Sequence, residues 1–498
     1  MPGLTHGFSR PVRVKMEPSP AKKNSETPYH SDLGPNGEVP FREKLAYSIG
    51  SPVDGLAGGV VGAMTNPIFV MMMGVSPSLL SLVGVLYRIW DAFTDVAAGW
   101  ISDNARTRWG RRRPFIFGGA ILTGLWMPVI WFFPQGWPTG LLVTWMVGCW
   151  MVRDIFASGW NIPFQCLLLE MTPSAKERTN ISAMRSYFGN AAGLLAGWVW
   201  FFTQLSVFND ASGKPDIILG AQWVTAIFGV IVIAVGVLPA FFVKERFYHQ
   251  AEKQPKVSLR DNFKFTFTNK PFLLLVCFTL IFTIGTSSKN GLAFFTKVYF
   301  VFGGDQKLAA TVSGLESTIT LFVGFLGIPI FQWLAKKYGN RNSLMTAMAI
   351  VSTASVSTIF TYTPAMPYLT ILTGILLAPA TAGMWVVIPP MLGDIVDFDE
   401  LRTGERREGS FSSIYSWQLK MAFAIGGGLS GPLVELVGFR VAAGNQQPEQ
   451  VIYMMRVLLA FIPLVFVGGA MLLLWRFPLN RARMAEVNAE LEKRRGAI

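Results

Sequence analysis

Asp91 and Asp95 stand four residues apart in the apolar stretch R88-I-W-D-A-F-T-D. On a helix both carboxylates project from one face, with Thr94 beside them. Two anionic oxygen donors one turn apart can coordinate a small hard cation, or can share a proton because their repulsion raises one pKa. The plainer reading is that they pair with Arg88 or cap a neighbouring helix. Asp54, alone among glycines, is a candidate third carboxylate, a ligand for substrate hydroxyls, or a side chain that only hydrogen-bonds a helix. Lys420, in S416-W-Q-L-K-M-A-F, lies about eleven residues into its own apolar segment, which disfavours the plainer reading of a snorkelling lysine. Its ammonium can reach the carboxylates from the opposite half of the chain and take the place of a departing cation.

These side chains matter because of the solvent around them. Of the 498 residues, 51% are hydrophobic, 13% aromatic and only 15% charged, against roughly 25% charged in an average soluble domain. With a mean hydropathy of +0.40, the chain has more apolar surface than one or two soluble cores can hide. A membrane-crossing helix needs about 20 mostly apolar residues. That pattern recurs at 44–73, 78–102, 114–133, 138–170, 178–207 and 219–243, then at 271–301, 306–335, 342–363, 366–399, 410–438 and 450–475. A charge at mid-membrane costs at least about 2.5 to 3.5 kcal/mol, so each one needs a partner, a cavity or a function. The reading finds Asp54, Arg88, Asp91, Asp95, Arg153, Asp154, Arg185 and Lys420 there.

The net charge of +13 is a topology signal. The connections after spans two, four, eight and ten, the stretch 244–270 and both tails are rich in Lys and Arg, whereas the opposite connections hold only Lys214, Lys307 and Arg440. The positive-inside rule then places both termini in the cytoplasm and removes any need for nucleic acid. Residues 1–40 read as a disordered cytoplasmic tail, 41–243 as an N-terminal six-helix bundle, 244–270 as a cytoplasmic linker, 271–476 as a C-terminal six-helix bundle and 477–498 as a cytoplasmic tail. The halves echo each other at I101-S-D-N-A-R-T-R-W-G-R-R-R and F331-Q-W-L-A-K-K-Y-G-N-R, which suggests duplicated bundles with a substrate path between them. Asp103 with its following arginines, and Arg178, are read as gating residues at a cytoplasmic helix end, and the segment from Asp394 to Glu408 as a latch against the basic loops. Cys149, Cys166 and Cys277 lie in apolar runs without metal or disulfide spacing, and His6, His30 and His249 fall in polar stretches, so no catalytic histidine constellation arises.

Taken together, Y87-R-I-W-D-A-F-T-D, G99-W-I-S-D-N-A-R-T-R-W-G-R-R-R-P, N161-I-P-F with E170-M-T-P-S-A-K-E-R-T and Arg185, G393-D-I-V-D-F-D-E-L-R-T-G-E-R-R-E-G, and Lys420 resemble the glycoside-pentoside-hexuronide:cation symporters of the major facilitator superfamily. The resemblance covers about 41–476 and implies an all-α membrane protein of the major facilitator fold, with twelve transmembrane helices in two six-helix bundles. It implies that Asp91 and Asp95 bind the coupling cation, H⁺ or Na⁺, with Thr94, Ser158 and Asn161 as further ligands. It also implies that Asp54, Asn161, Gln165, Arg185, Trp385 and Lys420 meet the sugar, and that Lys420 and Arg88 serve coupling. Asn161 and Gln165 stand where the bacterial melibiose permease has Asp and Trp, so the site loses a charge and its ion and sugar do not transfer automatically. Trp385 can stack on an apolar sugar face or simply pack.

The expected activity is therefore symport of a glycoside or related saccharide with H⁺ or Na⁺ by alternating access, in a monomer of the cell (inner) membrane that uses no cofactor beyond the coupling ion. The alternative is a cation-coupled carrier of a lysophospholipid or other amphiphile, since animal lysolipid symporters share the Asp pair and the Lys. A non-transporting scaffold and a membrane enzyme are rivals of other classes.

Overall fold

The computed structural model describes residues 33, 38–134, 136–172, 174–246, 269–404 and 407–495. Most of the expected tail over 1–40, most of the linker over 244–270, and His6, His30 and His249 lie outside them.

Twelve long helical segments follow one another: α1 (Phe41–Met72), α2 (Pro77–Asn104), α3 (Arg113–Trp131), α4 (Thr139–Met171), α5 (Ala175–Phe202), α6 (Ile217–Phe242), α7 (Lys270–Val301), α8 (Gln306–Tyr338), α9 (Asn340–Thr361), α10 (Thr370–Thr403), α11 (Glu408–Leu436) and α12 (Glu449–Trp475). Their starts carry ordinary caps: Ser76 accepts from the Leu79 amide ahead of Pro77, and Asp216, Asn269 and Asp305 do the same for α6, α7 and α8. Gly404 closes α10 at φ 79°, where a side chain would be strained. Among the described residues, nine of the twelve are long and apolar enough to cross a membrane by composition alone. The other three, α2, α5 and α11, all lie where the halves meet, together with the more apolar α8, and α2 and α11 carry Asp91, Asp95 and Lys420.

The duplication seen weakly in the sequence is explicit in the backbone. Helix α1 breaks at Ser51 and ends in a π-turn over Asn66–Met72; α7 breaks at Lys289 and ends in a π-turn over Thr296–Val301. Each π-turn leads into glycines of positive φ, Gly74 in one half, Gly303 and Gly304 in the other.

The connections sort onto two faces, one basic and one nearly bare. The N-terminal half meets the C-terminal half chiefly through α2 against α11 and α5 against α8. One apolar cluster runs through the N-terminal half and continues into the bare-face end of the C-terminal half, through Phe295, Val301, Val434 and Phe439. A separate cluster, including Phe272, Met384 and Phe411, fills the basic-face end of the C-terminal half. The cores therefore merge at the bare face and part at the basic face, as in a two-bundle carrier shut at one end.

Residues after α12, expected as a cytoplasmic tail, are largely helical. They form α13 (Arg481–Arg495), which buries Met484, Val487 and Leu491 against the basic-face cluster, together with Phe477 and Leu479. Spacings of three and four place these side chains on one stripe, and Arg481 and Arg494 donate to the carbonyls of Lys337 and Leu401. Val487→Asp would put an unpaired charge into that stripe, and we expect α13 to undock. Limited proteolysis should then cleave after Arg481 well before the parent protein is cut; equal cleavage rates would show that the stripe does not hold the helix.

Candidate functional site

A cavity of about 760 Å³ lies between the halves, walled by α1, α2, α4, α7 and α11. Its charged lining consists of Asp54, Asp91, Asp95 and Asp154 against Arg88, Arg153 and Lys420. Lys420 reaches across from α11 and pairs with both members of the α2 pair, at 3.2 Å from Asp91 Oδ2 and in a shorter contact with Asp95 Oδ2. The carboxylates are 16% and 19% exposed and the lysine side chain 41%, so the pair is partly screened by the cavity's own solvent. Arg88, the partner of the plainer reading, does not pair with Asp91; its guanidinium stands 5.7 Å from the Tyr87 ring centroid and lines the cavity.

Thr94 is not beside the carboxylates in the sense expected. It lies about 100° round the helix from Asp95 and so faces α4, where Oγ1 donates to Asp154 Oδ2 at 2.7 Å and lies 3.1 Å from Ser158 Oγ. Tyr87 Oη donates to the other oxygen of Asp154 at 2.8 Å and accepts from Arg153. Adjacent residues on a helix diverge by about 100°, so Arg153 and Asp154 form no direct ion pair and are bridged through Tyr87 Oη. The guanidinium turns to the Ala57 carbonyl at 2.8 Å and to Tyr87.

Asn161 and Gln165 lie along the same wall, with Gln165 Nε2 donating to Asn161 Oδ1 at 2.9 Å. Asp54 faces them from α1. Two expected sugar contacts lie elsewhere. Arg185 is absent from this lining, with its guanidinium 5.4 Å from the Phe164 ring centroid. Trp385 lines a second cavity of about 540 Å³ between α5, α8 and α10, with Asn190, Glu316 and Thr320. Composition does not say which of two neighbouring cavities a tryptophan faces.

Between the cavity and the bare face runs a seam of small residues. Ser81 Oγ accepts from the Gly431 amide at 2.8 Å, and Glu435 accepts from Ser78 through both amide and hydroxyl, at 3.2 and 2.5 Å. A Cβ on Gly431 would overlap the Pro77 carbonyl, and one on Gly428 would crowd Val85. Across the cavity, Trp198 donates to Thr318 at 2.9 Å and Gly314 lies under its ring.

The basic face is braced within each half. Arg112 pairs with Asp103 at 2.7 Å and with Glu170 at 2.9 Å, Arg111 pairs with Glu170 at 2.5 Å, and Glu245 accepts three successive amides from Arg111 to Arg113. Arg178 sits in the first turn of α5, half-buried. In the Asp394 segment, Asp399 pairs with Arg407 at 3.1 Å and accepts from Asn269, and Asp394 accepts from Asn340. These three contacts lie within the C-terminal half.

The spans also hold charges beyond those expected from the sequence, Lys289, Lys297 and Glu316. Lys297 on α7 pairs with Glu316 on α8 and lies 5.7 Å from the Tyr362 ring centroid, with Lys289 at the break in α7. A Glu ten residues into a helix that follows a Lys-bearing one was the available signal.

A helical membrane protein of two duplicated bundles, with a polar cavity between them that is sealed at one face, is a transporter of the major facilitator type. The chain belongs to the MFS/sugar transport protein family, whose profile matches residues 46–481. It is 23% identical over 457 residues to the isoprimeverose transporter of Lactiplantibacillus pentosus, covering 92% of each chain. It is 24% identical over 469 residues to the glucuronide carrier protein homolog of Escherichia coli (strain K12), covering 92% of this chain and 97% of that one. Among solved structures, a bacterial homolog of the human lysosomal transporter Spinster, inward-facing and unoccupied, superposes with a TM-score of 0.64 at 14% identity, over 93% of this chain and 98% of that one. That likeness concerns the fold.

Proposed function

We propose that the protein is a symporter that couples uptake of a glycoside or related saccharide to H⁺ or Na⁺, in the cell (inner) membrane with its termini and basic face in the cytoplasm. The observation that carries this reading is Lys420 standing against Asp91 and Asp95, across the two halves, at the inner edge of the α2–α11 seam. In the empty carrier the ammonium neutralises the pair. A cation bound there competes with it, releases α11 from α2 and so favours the state open at the bare face. A ligand shifts such an equilibrium only through its different affinity for the two states, and the competition supplies that difference. Asp54, Asn161 and Gln165 offer acceptors and donors to sugar hydroxyls along one wall. Arg185 and Trp385 join them in the closed, loaded state, because α5 and α10 move as the basic face closes.

The test is uptake of labelled glycosides, pentosides and uronides into proteoliposomes of the purified carrier under imposed Na⁺ or H⁺ gradients. We expect saturable accumulation of at least one saccharide under one of the two gradients. Uptake of lysophosphatidylcholine with no saccharide transported would transfer the reading to an amphiphile carrier, and accumulation indifferent to both gradients would refute symport.

A further inference from the structure

We infer that Asp154 is a sodium ligand, and that with Ser158 and Thr94 it forms an inner part of the cation site that takes over the negative charge absent at Asn161. The inference deepens the symport reading and rests on it.

Asp154 is 2% exposed, Ser158 3% and Thr94 8%. A carboxylate so enclosed normally has a cationic partner, because leaving it charged and alone is costly. Asp154 has none within ion-pair distance among the described residues: Arg153 reaches it only through Tyr87 Oη, which accepts from the guanidinium and donates to Asp154, and Lys420 is held by the α2 pair. Two hydroxyls, Tyr87 and Thr94, serve its oxygens, yet a carboxylate offers about four lone-pair sites. Asp154 also lines the cavity. Around it stand further hard oxygens: Thr94 Oγ1, Ser158 Oγ at 3.1 Å from it, and the Asp91 carbonyl, also 3.1 Å from Thr94 Oγ1.

This donor set, one carboxylate with hydroxyl and carbonyl oxygens, suits a monovalent alkali ion that has shed its water. Each hydroxyl oxygen can rotate its proton away and present a lone pair when the ion arrives. Asn161 lies seven residues on from Asp154, about two turns along the same helix. Its neutral amide is tied to Gln165, so the negative charge on the α4 wall of the cavity is Asp154's, beside the positive charge of Arg153. Lys420 engages Asp91 and Asp95 but not Asp154, which makes Asp154 the carboxylate open to a cation while the lysine still occupies the pair.

The experiment measures equilibrium binding of ²²Na⁺ to the purified full-length carrier in detergent, with K⁺ as the background salt and no sugar present. Asp154→Asn keeps the shape and the hydroxyl contacts but removes the charge. We expect its apparent Kd to rise by more than about tenfold, with partial recovery in Asp154→Glu. Ser158→Ala is expected to weaken binding by about severalfold and serves if Asp154→Asn is not monodisperse. Sodium binding by Asp154→Asn and Ser158→Ala equal to the parent would overturn the inference. If Asp91→Asn/Asp95→Asn loses binding in that same assay, the symport reading survives it. A parent that binds no sodium also overturns it, while uptake driven by a proton gradient would still uphold symport.

Discussion

The Asp91→Asn/Asp95→Asn carrier fails to accumulate substrate against a gradient, although it still inserts and remains monodisperse. Both carboxylates take part in one cross-half contact with Lys420, so neutralising them removes the cation's charge partner and leaves the lysine unpaired at once. Coupling between two ligands on one carrier is worth about 1 to 3 kcal/mol, or about 5- to 150-fold in the affinity of one ligand when the other binds, and we expect the variant to lose most of that cation-dependent gain in substrate affinity. Downhill exchange of substrate should fall much less, because Asp54, Asn161 and Gln165 remain in place along the cavity wall. Measuring gradient-driven and exchange uptake side by side separates the two effects. Equal loss of both would mean that the pair binds sugar or holds the fold, and no loss of either would dismiss its role in coupling.

Gly431→Val produces the largest conformational effect. The glycine amide donates to Ser81 with the α11 backbone pressed against Pro77, where any Cβ overlaps the carbonyl. Forcing a branched side chain into such a contact costs about 1 to 3 kcal/mol. The helices can relieve this by parting, so the cost falls on the bare-face-closed state alone. The equilibrium should move toward the bare-face-open state by about 5- to 150-fold, and transport should stall because the carrier no longer closes on that side. A cysteine at Ser81, in a background without Cys149, Cys166 and Cys277, should react with a bulky maleimide at least about tenfold faster than in the parent. An unchanged rate would show that the α2–α11 seam is not the gate.

Much of this arrangement is legible in the chain because a membrane leaves few alternatives: apolar runs of span length, and basic connections on alternate sides. The three helices that fall short of plain apolarity, α2, α5 and α11, all lie where the halves meet, and α2 and α11 carry the charged contact itself. Spacing also brought Asp91 and Asp95 to one face and suggested Lys420 as their partner. What spacing could not supply was direction round the helix. Thr94, three residues from Asp91, turns to α4, and Asp154, adjacent to Arg153 in the chain, meets it only through the Tyr87 hydroxyl. Trp385 was legible as a span tryptophan but not as a resident of the second cavity. The docking of α13 was hidden because a single apolar stripe in a charged segment gains its meaning only from the cluster it meets.

The most direct test of the central claim, that the coupling cation and Lys420 compete for Asp91 and Asp95 and so link ion binding to the gate, is a distance measured across the bare face. Spin labels at Phe132 and Met366, exposed residues of the α3–α4 and α9–α10 connections, report the separation of the halves in lipid nanodiscs. We predict that the coupling cation, Na⁺ against a K⁺ control or protons on acidification, shifts the population toward longer distances. The shift should be absent in Asp91→Asn/Asp95→Asn. A distance distribution that is the same in Na⁺, in K⁺ and across pH would contradict the competition on which the coupling account rests.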